Sequence, residues 1–159
     1  MQEIHHDVWI DADRSSVFDA VTTRAGLDSW WGPVVNWGDT VGSIIEFDHG
    51  HGEPIKMRVV DLVPGRRVEW ENINTFTDPA NPASEWGGTR LSFEVSDGRP
   101  TGFVTLDAHF TRDPFTILTF RQTGWAEGSR WLAFCNYAWG VTLLGLEQAC
   151  IPQDSTKTV

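Results

Sequence analysis

The sequence predicts an α+β domain in which a curved antiparallel sheet grips a long C-terminal helix. Three observations predict it: an opening strand followed by two short helical segments, six further stretches with period-two alternation, and a proline-free final stretch with helical periodicity. A chain of 159 residues has the size of one domain and can bury roughly two thirds of its unfolded surface. Residues 1–152 are read as that domain and 153–159 as a tail.

The first strand covers 3–10, where Ile4, Val8 and Ile10 alternate with Asp7 and Trp9. Asp13 can cap the helix that follows, because its side-chain oxygen accepts a free first-turn amide and Val17, Ala20 and Val21 share one helical face. Gly26 interrupts that pattern, and a second brief turn around Leu27 runs into Trp30-Trp31-Gly32-Pro33, where Pro33 forbids further helix. Strands are then predicted at 43–49, 55–63, 66–73, 89–96, 102–111 and 116–124. Short turns such as Pro64-Gly65 and Arg112-Asp113-Pro114 make neighbours pair antiparallel. From Ser129 to Cys150, Trp131, Cys135, Ala138, Trp139, Thr142, Leu143, Leu146 and Ala149 recur at three- and four-residue steps, the pattern of one long helix. Only this helix is long enough to cover one face of a seven-stranded sheet. A twisted sheet around a single helix leaves space at an end, which is a natural ligand cavity.

Composition narrows the function. The net charge is −10, from 22 acidic and 12 basic residues with no Lys/Arg cluster, which argues against nucleic acid and anionic membranes as partners. No run approaches the roughly 20 apolar residues that span a bilayer, so membrane insertion is not expected. No basic-then-apolar leader opens the chain, and a cytoplasmic location is expected. Cys135 and Cys150 would lie about 22 Å apart along one helix, too far for a bridge, and read as reduced buried thiols. Nine Trp and nine Phe exceed what packing alone requires and suggest a ring-lined space.

Three stretches resemble the activator-of-Hsp-90-ATPase-homologue branch of the START/SRPBCC superfamily. Ile10, Ala12, Val17, Phe18 and Ala20 match the strand-to-helix pattern, with Val21 for Leu and Asp13 for Pro; Leu27, Trp30, Trp31, Gly32 and Pro33 match at every fixed position; Trp139, Leu143 and Leu146 match in the last helix, with Ala138 for Gly. The resemblance implies a helix-grip fold and binding of a hydrophobic or amphipathic small molecule. It implies no single reaction, since that superfamily holds carriers, sensors, cyclases and cochaperone-like modules.

Strand parity turns one apolar set inward, and the expected ligand-lining residues are Trp31, Phe47, His49, Met57, Val59, Trp70, Phe93, Leu118, Phe120, Trp131, Cys135 and Trp139. His49 shares parity with Phe47 and would meet a polar ligand group at the mouth. The turn Asp48-His49-Gly50-His51-Gly52-Glu53 matches no zinc spacing, so no metal is assigned, and no cofactor is implied. Asp107 and His109 alternate on the predicted strand 102–111, but the stronger apolar set, Val104, Leu106, Ala108 and Phe110, occupies the other face and leaves them in solvent. His49, Asp107, His109 and Gln122 are therefore weak catalytic candidates, and no triad or phosphate loop is visible.

The leading expectation is a carrier or sensor of a lipid, polyketide or aromatic compound. An aromatase/cyclase-like enzyme is the alternative, and a chaperone-activator-like interaction module a third reading, although a chaperone partner is not expected of this lone domain. The loop 74–88, with Phe76 and Trp86, leaves a homodimer open.

Overall fold

The computed structural model describes residues 2–50, 52–101 and 110–152. Strand β1 (Gln2–Ile10) leads into helices α1 (Arg14–Thr22) and α2 (Arg24–Asp28). Strands β2 (Val34–Asn36), β3 (Ile44–Phe47), β4 (Ile55–Val63), β5 (Arg67–Asn72), β6 (Arg90–Gly98) and β7 (Phe115–Trp125) follow, and helix α3 (Leu132–Cys150) closes the order. A 3-10 turn at Pro82–Glu85 lies in the long connection between β5 and β6. The sheet runs β1-β7-β6-β5-β4-β3-β2 with every pair antiparallel. This is the helix-grip architecture expected.

Among the described residues the sheet has seven strands, six of them expected. The extra strand is β2, directly after Pro33, where the Asp28 carboxylate accepts the Val34 amide at 2.6 Å and Arg24 donates to the Val34 carbonyl at 3.1 Å. Three residues are too few for period-two alternation to show in a sequence. The predicted strand 102–111 falls almost wholly outside the described residues. The strands expected to flank it pair directly with each other, from Arg90↔Thr123 to Gly98↔Phe115.

Local chemistry explains the helices. Asp13 caps α1 by accepting the Ser16 amide at 2.7 Å, and this bond holds its carboxyl below the usual range. Gly26 lies inside α2 and does not break it: a Cβ there would stand 2.2 Å from the Asp19 carbonyl oxygen, so only glycine lets α2 fold this tightly against α1. Helix α3 begins three residues later than its periodicity suggests, because Ser129 and Arg130 belong to its capping arrangement.

The inward faces meet in register. Ile45 pairs with Met57, Val59 with Trp70, Trp70 with Leu91, Phe93 with Phe120 and Val95 with Leu118, and all are buried. Against them α3 turns Cys135, Trp139, Leu143, Leu146 and Cys150, spaced by three or four residues so that all share one side of the helix. Each large side chain so buried contributes about 1.5–3 kcal/mol. That return explains why a helix carrying Gly140 and Gly145 is stable in this setting. No helix among the described residues is long and apolar enough to cross a membrane.

Candidate ligand-binding groove

A groove of about 280 Å³, open on one side, lies where the N-terminal half of α3 faces the β3 end of the sheet. Its floor is a cluster of rings. Trp31 lies 5.2 Å from Trp139 and 6.5 Å from Trp86, and Trp86 lies 5.8 Å from Trp139 with the planes 20° apart. Phe47 packs on Trp31 at 4.3 Å, and Phe120 supports Trp139 from below at 4.4 Å. Phe76 and Phe134 extend the apolar wall, while Cys135, Ala138 and Thr142 supply the small residues on α3 that leave the space open.

Five segments bring these rings together, the turn after α2, β3, the β5–β6 loop, β7 and α3, and a buried polar relay joins the last three. The Trp139 indole donates to Gln122 Oε1 at 3.0 Å, the Gln122 amide donates to Thr89 Oγ1 at 3.0 Å, and the Thr89 hydroxyl donates to the Trp86 carbonyl at 2.6 Å. The relay ties α3, β7 and the β5–β6 loop into one frame. Trp86 in turn donates its indole N–H to Cys135 Sγ at 3.4 Å. Burial pushes the Cys135 thiol up, so it stands in the wall as a neutral thiol and not as a thiolate nucleophile.

Glu85, at the end of the 3-10 turn, anchors the loop to the start of α3. Its carboxylate accepts the Ser129 hydroxyl and the amides of Arg130 at 3.1 Å and Trp131 at 3.2 Å. These bonds, the Ser129 hydroxyl first, hold the carboxyl below the usual range. They also satisfy free donors at a helix end that has no side-chain cap of its own.

The expected site residues divide into three groups. Trp31, Phe47, His49, Cys135 and Trp139 line the groove. Met57, Val59, Trp70, Phe93, Leu118 and Phe120 point inward as expected, but they are packed into the core and do not line the groove. Their neighbours fill the space: Trp70 lies 5.1 Å from Phe93, and Phe93 lies 5.2 Å from Phe120. Val59 and Trp70 border only a separate hollow of about 20 Å³, enough for a single water. Trp131 lies outside the groove because it precedes α3 instead of occupying its inward side. Its indole donates to the Pro79 carbonyl at 3.0 Å, and Arg130 covers its ring at 4.9 Å.

Of the catalytic candidates, Gln122 is fully buried with both ends of its amide committed to the relay. His49 sits at the rim with Nε2 2.6 Å from the Trp31 carbonyl oxygen. Asp107 and His109 lie outside the described residues, as does His51. The carboxylates of the turn beside His51 are engaged locally, Asp48 with the Gly50 amide at 2.9 Å and Glu53 with Lys56 at 3.1 Å. Sequence reasoning missed Phe134, Ala138, Thr142, Ile55, Asn81 and Glu53 as lining. Phe76 and Trp86, the rings of the long loop that leaves a homodimer open, turn into the groove. The signal available for them was a long loop carrying two large rings.

A sheet gripping one helix, with a ring-walled groove at their open end, defines a helix-grip domain. The chain belongs to the Activator of Hsp90 ATPase homolog 1-like protein family, whose sequence profile matches residues 11–150. Among solved structures it is similar to the Aha1 dimer from Colwellia psychrerythraea, at 28% identity over 94% of this chain and 96% of that one, with a TM-score of 0.71. Protein MLL2253 from Mesorhizobium loti shares the fold at 15% identity, covering 93% and 96% of the two chains with a TM-score of 0.71. So does CalU16 from Micromonospora echinospora, at 15% identity over 94% and 76% with a TM-score of 0.64. No curated protein matches the chain.

Proposed function

We propose that the protein binds a small apolar or amphipathic molecule in the tryptophan-walled groove and serves as its carrier or sensor. The observation that carries this reading is the open space of about 280 Å³ between Trp31, Trp86, Trp139 and the small side chains of α3. Interiors pack densely, so a hollow walled by rings and held open by a buried hydrogen-bonded relay calls for an occupant. Its volume lies at the small end of ligand sites, which run roughly 300–1,000 Å³, and suits a ring compound or a short lipid portion better than a long acyl chain. The test is a panel of lipids, polyketides and aromatic compounds read by tryptophan fluorescence and melting temperature. A response to at least one class supports the reading, and indifference to the whole panel overturns it. The setting we infer is the cytoplasm, in keeping with two free cysteines, both buried.

We further propose that two copies associate through the outer face of α3. Phe134, Tyr137, Val141 and Leu144 form a stripe there with exposures of 50–71%, and no charged residue occurs between Leu132 and Leu146. A protein of charge −10 meets least repulsion from its own copy where like charges are absent, and this stripe meets that condition. The 28% identical Aha1 of Colwellia psychrerythraea is itself a dimer. Native mass spectrometry should give twice the chain mass, and Tyr137→Glu with Val141→Glu should give the monomer. A wild-type chain that is monomeric at tens of micromolar sinks the assembly proposal and leaves the groove untouched.

A further inference from the structure

We infer that the groove selects by charge, accepting uncharged or cationic ring compounds and rejecting their carboxylate counterparts. This inference rests on the binding reading above and specifies the ligand class. Among the described residues no Lys or Arg lines the groove, and the one charged side chain on its wall is the Glu53 carboxylate. The nearest ammonium, Lys56, is held by Glu53 at 3.1 Å. The other feature able to attract an anion is the N-terminus of α3, and the protein's own Glu85 already takes the amides of Arg130 and Trp131 there. Two of the three tryptophan indoles on the wall are also taken, those of Trp86 and Trp139 donating to Cys135 and Gln122, so the donors left to a ligand are neutral ones such as the Asn81 amide and the Thr142 hydroxyl.

A carboxylate entering this space would lose water and gain no cationic partner, while facing Glu53. A neutral amide loses less on desolvation. A cation gains the negative faces of the three tryptophans as well as the Glu53 carboxylate. The arrangement therefore separates ligands that share a ring system and differ only in charge.

The experiment uses the full chain and three probes with one ring system, 2-naphthoate, 2-naphthamide and 2-naphthylmethylammonium. Binding is followed by titration calorimetry at pH 8, where ordinary imidazoles are neutral. Each probe is titrated at about 0.15 M and about 1 M salt, which shortens the Debye length from about 8 to about 3 Å and removes the long-range field of the acidic surface. The amide and the ammonium should bind at least about tenfold more tightly than the carboxylate at both salts, a difference of about 1.4 kcal/mol. Equal or tighter carboxylate binding overturns the inference. So does a preference that vanishes at high salt, since net charge alone would then explain it. If none of the three binds, the groove-binding reading fails first and this inference with it, a result distinct from failure of the charge pattern.

A gain-of-function variant adds an independent arm. Thr142 is half-buried on the groove wall, so Thr142→Lys places an ammonium there without entering the packed core. Naphthoate affinity should rise at least about tenfold in this variant, and an unchanged value counts against the inference.

Discussion

The two halves of α3 face the same sheet and produce opposite results. In the C-terminal half, Leu143, Leu146 and Cys150 are buried against β1 and α1, and the hollow there, about 250 Å³ between β1 and Gly140, Leu143, Leu144 and Glu147, has no tryptophan cluster on its wall. In the N-terminal half, Cys135, Ala138 and Thr142 leave space between the large side chains Phe134 and Trp139, and there the ring-walled groove opens. Side-chain volume along one helix therefore decides where the tryptophan-walled groove opens. The contrast predicts that equal chemical changes will have unequal costs at the two ends.

The largest effect should come from Trp139→Ala. The change removes a ring packed on Phe120, Trp31 and Trp86, and it leaves buried Gln122 Oε1 without its donor. Loss of a buried Trp costs about 3–5 kcal/mol and an orphaned acceptor about 1–3. Because water can enter from the groove, the sum should stay near the lower bound, about 4 kcal/mol. A urea midpoint that falls by less than half of that would show that the ring cluster contributes little to the frame. Leu143→Ala, in the C-terminal half, should follow at about 3 kcal/mol, a value set by the cavity it leaves.

The contrast bears on what was legible in the sequence. Strand parity placed Met57, Val59, Trp70, Phe93, Leu118 and Phe120 inward correctly, because period-two alternation reports which face is buried. It could not separate core from groove, since both call for apolar side chains. That distinction depends on the side chains of α3 that stand opposite. The Leu27–Pro33 stretch was the most specific family match, yet the strand that follows it stayed hidden because three residues carry no periodicity. Glu85 looked like an ordinary loop carboxylate. Its role depends on residues more than forty positions away, and no local pattern carries such information.

Glu85→Gln sharpens the comparison from the groove side, because this carboxylate holds the loop that supplies Trp86 to the α3 end that supplies Cys135. A neutral amide accepts the same amides less strongly, and the loss should be about 1–2 kcal/mol at pH 7. The sign of the pH dependence follows from the lowered carboxyl. Its stabilisation is complete above the ordinary value of 4.5 and disappears as pH falls through the lower native value. Wild type and variant should therefore differ in urea midpoint at pH 7, and the gap should narrow as pH falls below 4.5. A gap that persists in acid would mean that the charge is not what anchors the loop.

The smallest expected change in stability is also the sharpest test of where the hollow lies. Ala138→Leu and Ala20→Leu add the same atoms, one on the groove wall and one on the buried side of α1. At Ala20 the added atoms meet packed neighbours, and such overpacking costs about 1–3 kcal/mol. At Ala138 they enter open space, and stability should change by no more than about 0.5 kcal/mol. Binding should respond the other way, with Ala138→Leu weakening any groove ligand at least tenfold, about 1.4 kcal/mol, and Ala20→Leu leaving affinity near wild type. If both substitutions destabilise equally, the groove closes in solution, and the difference between the two halves of α3 is one of residue size without consequence for a ligand.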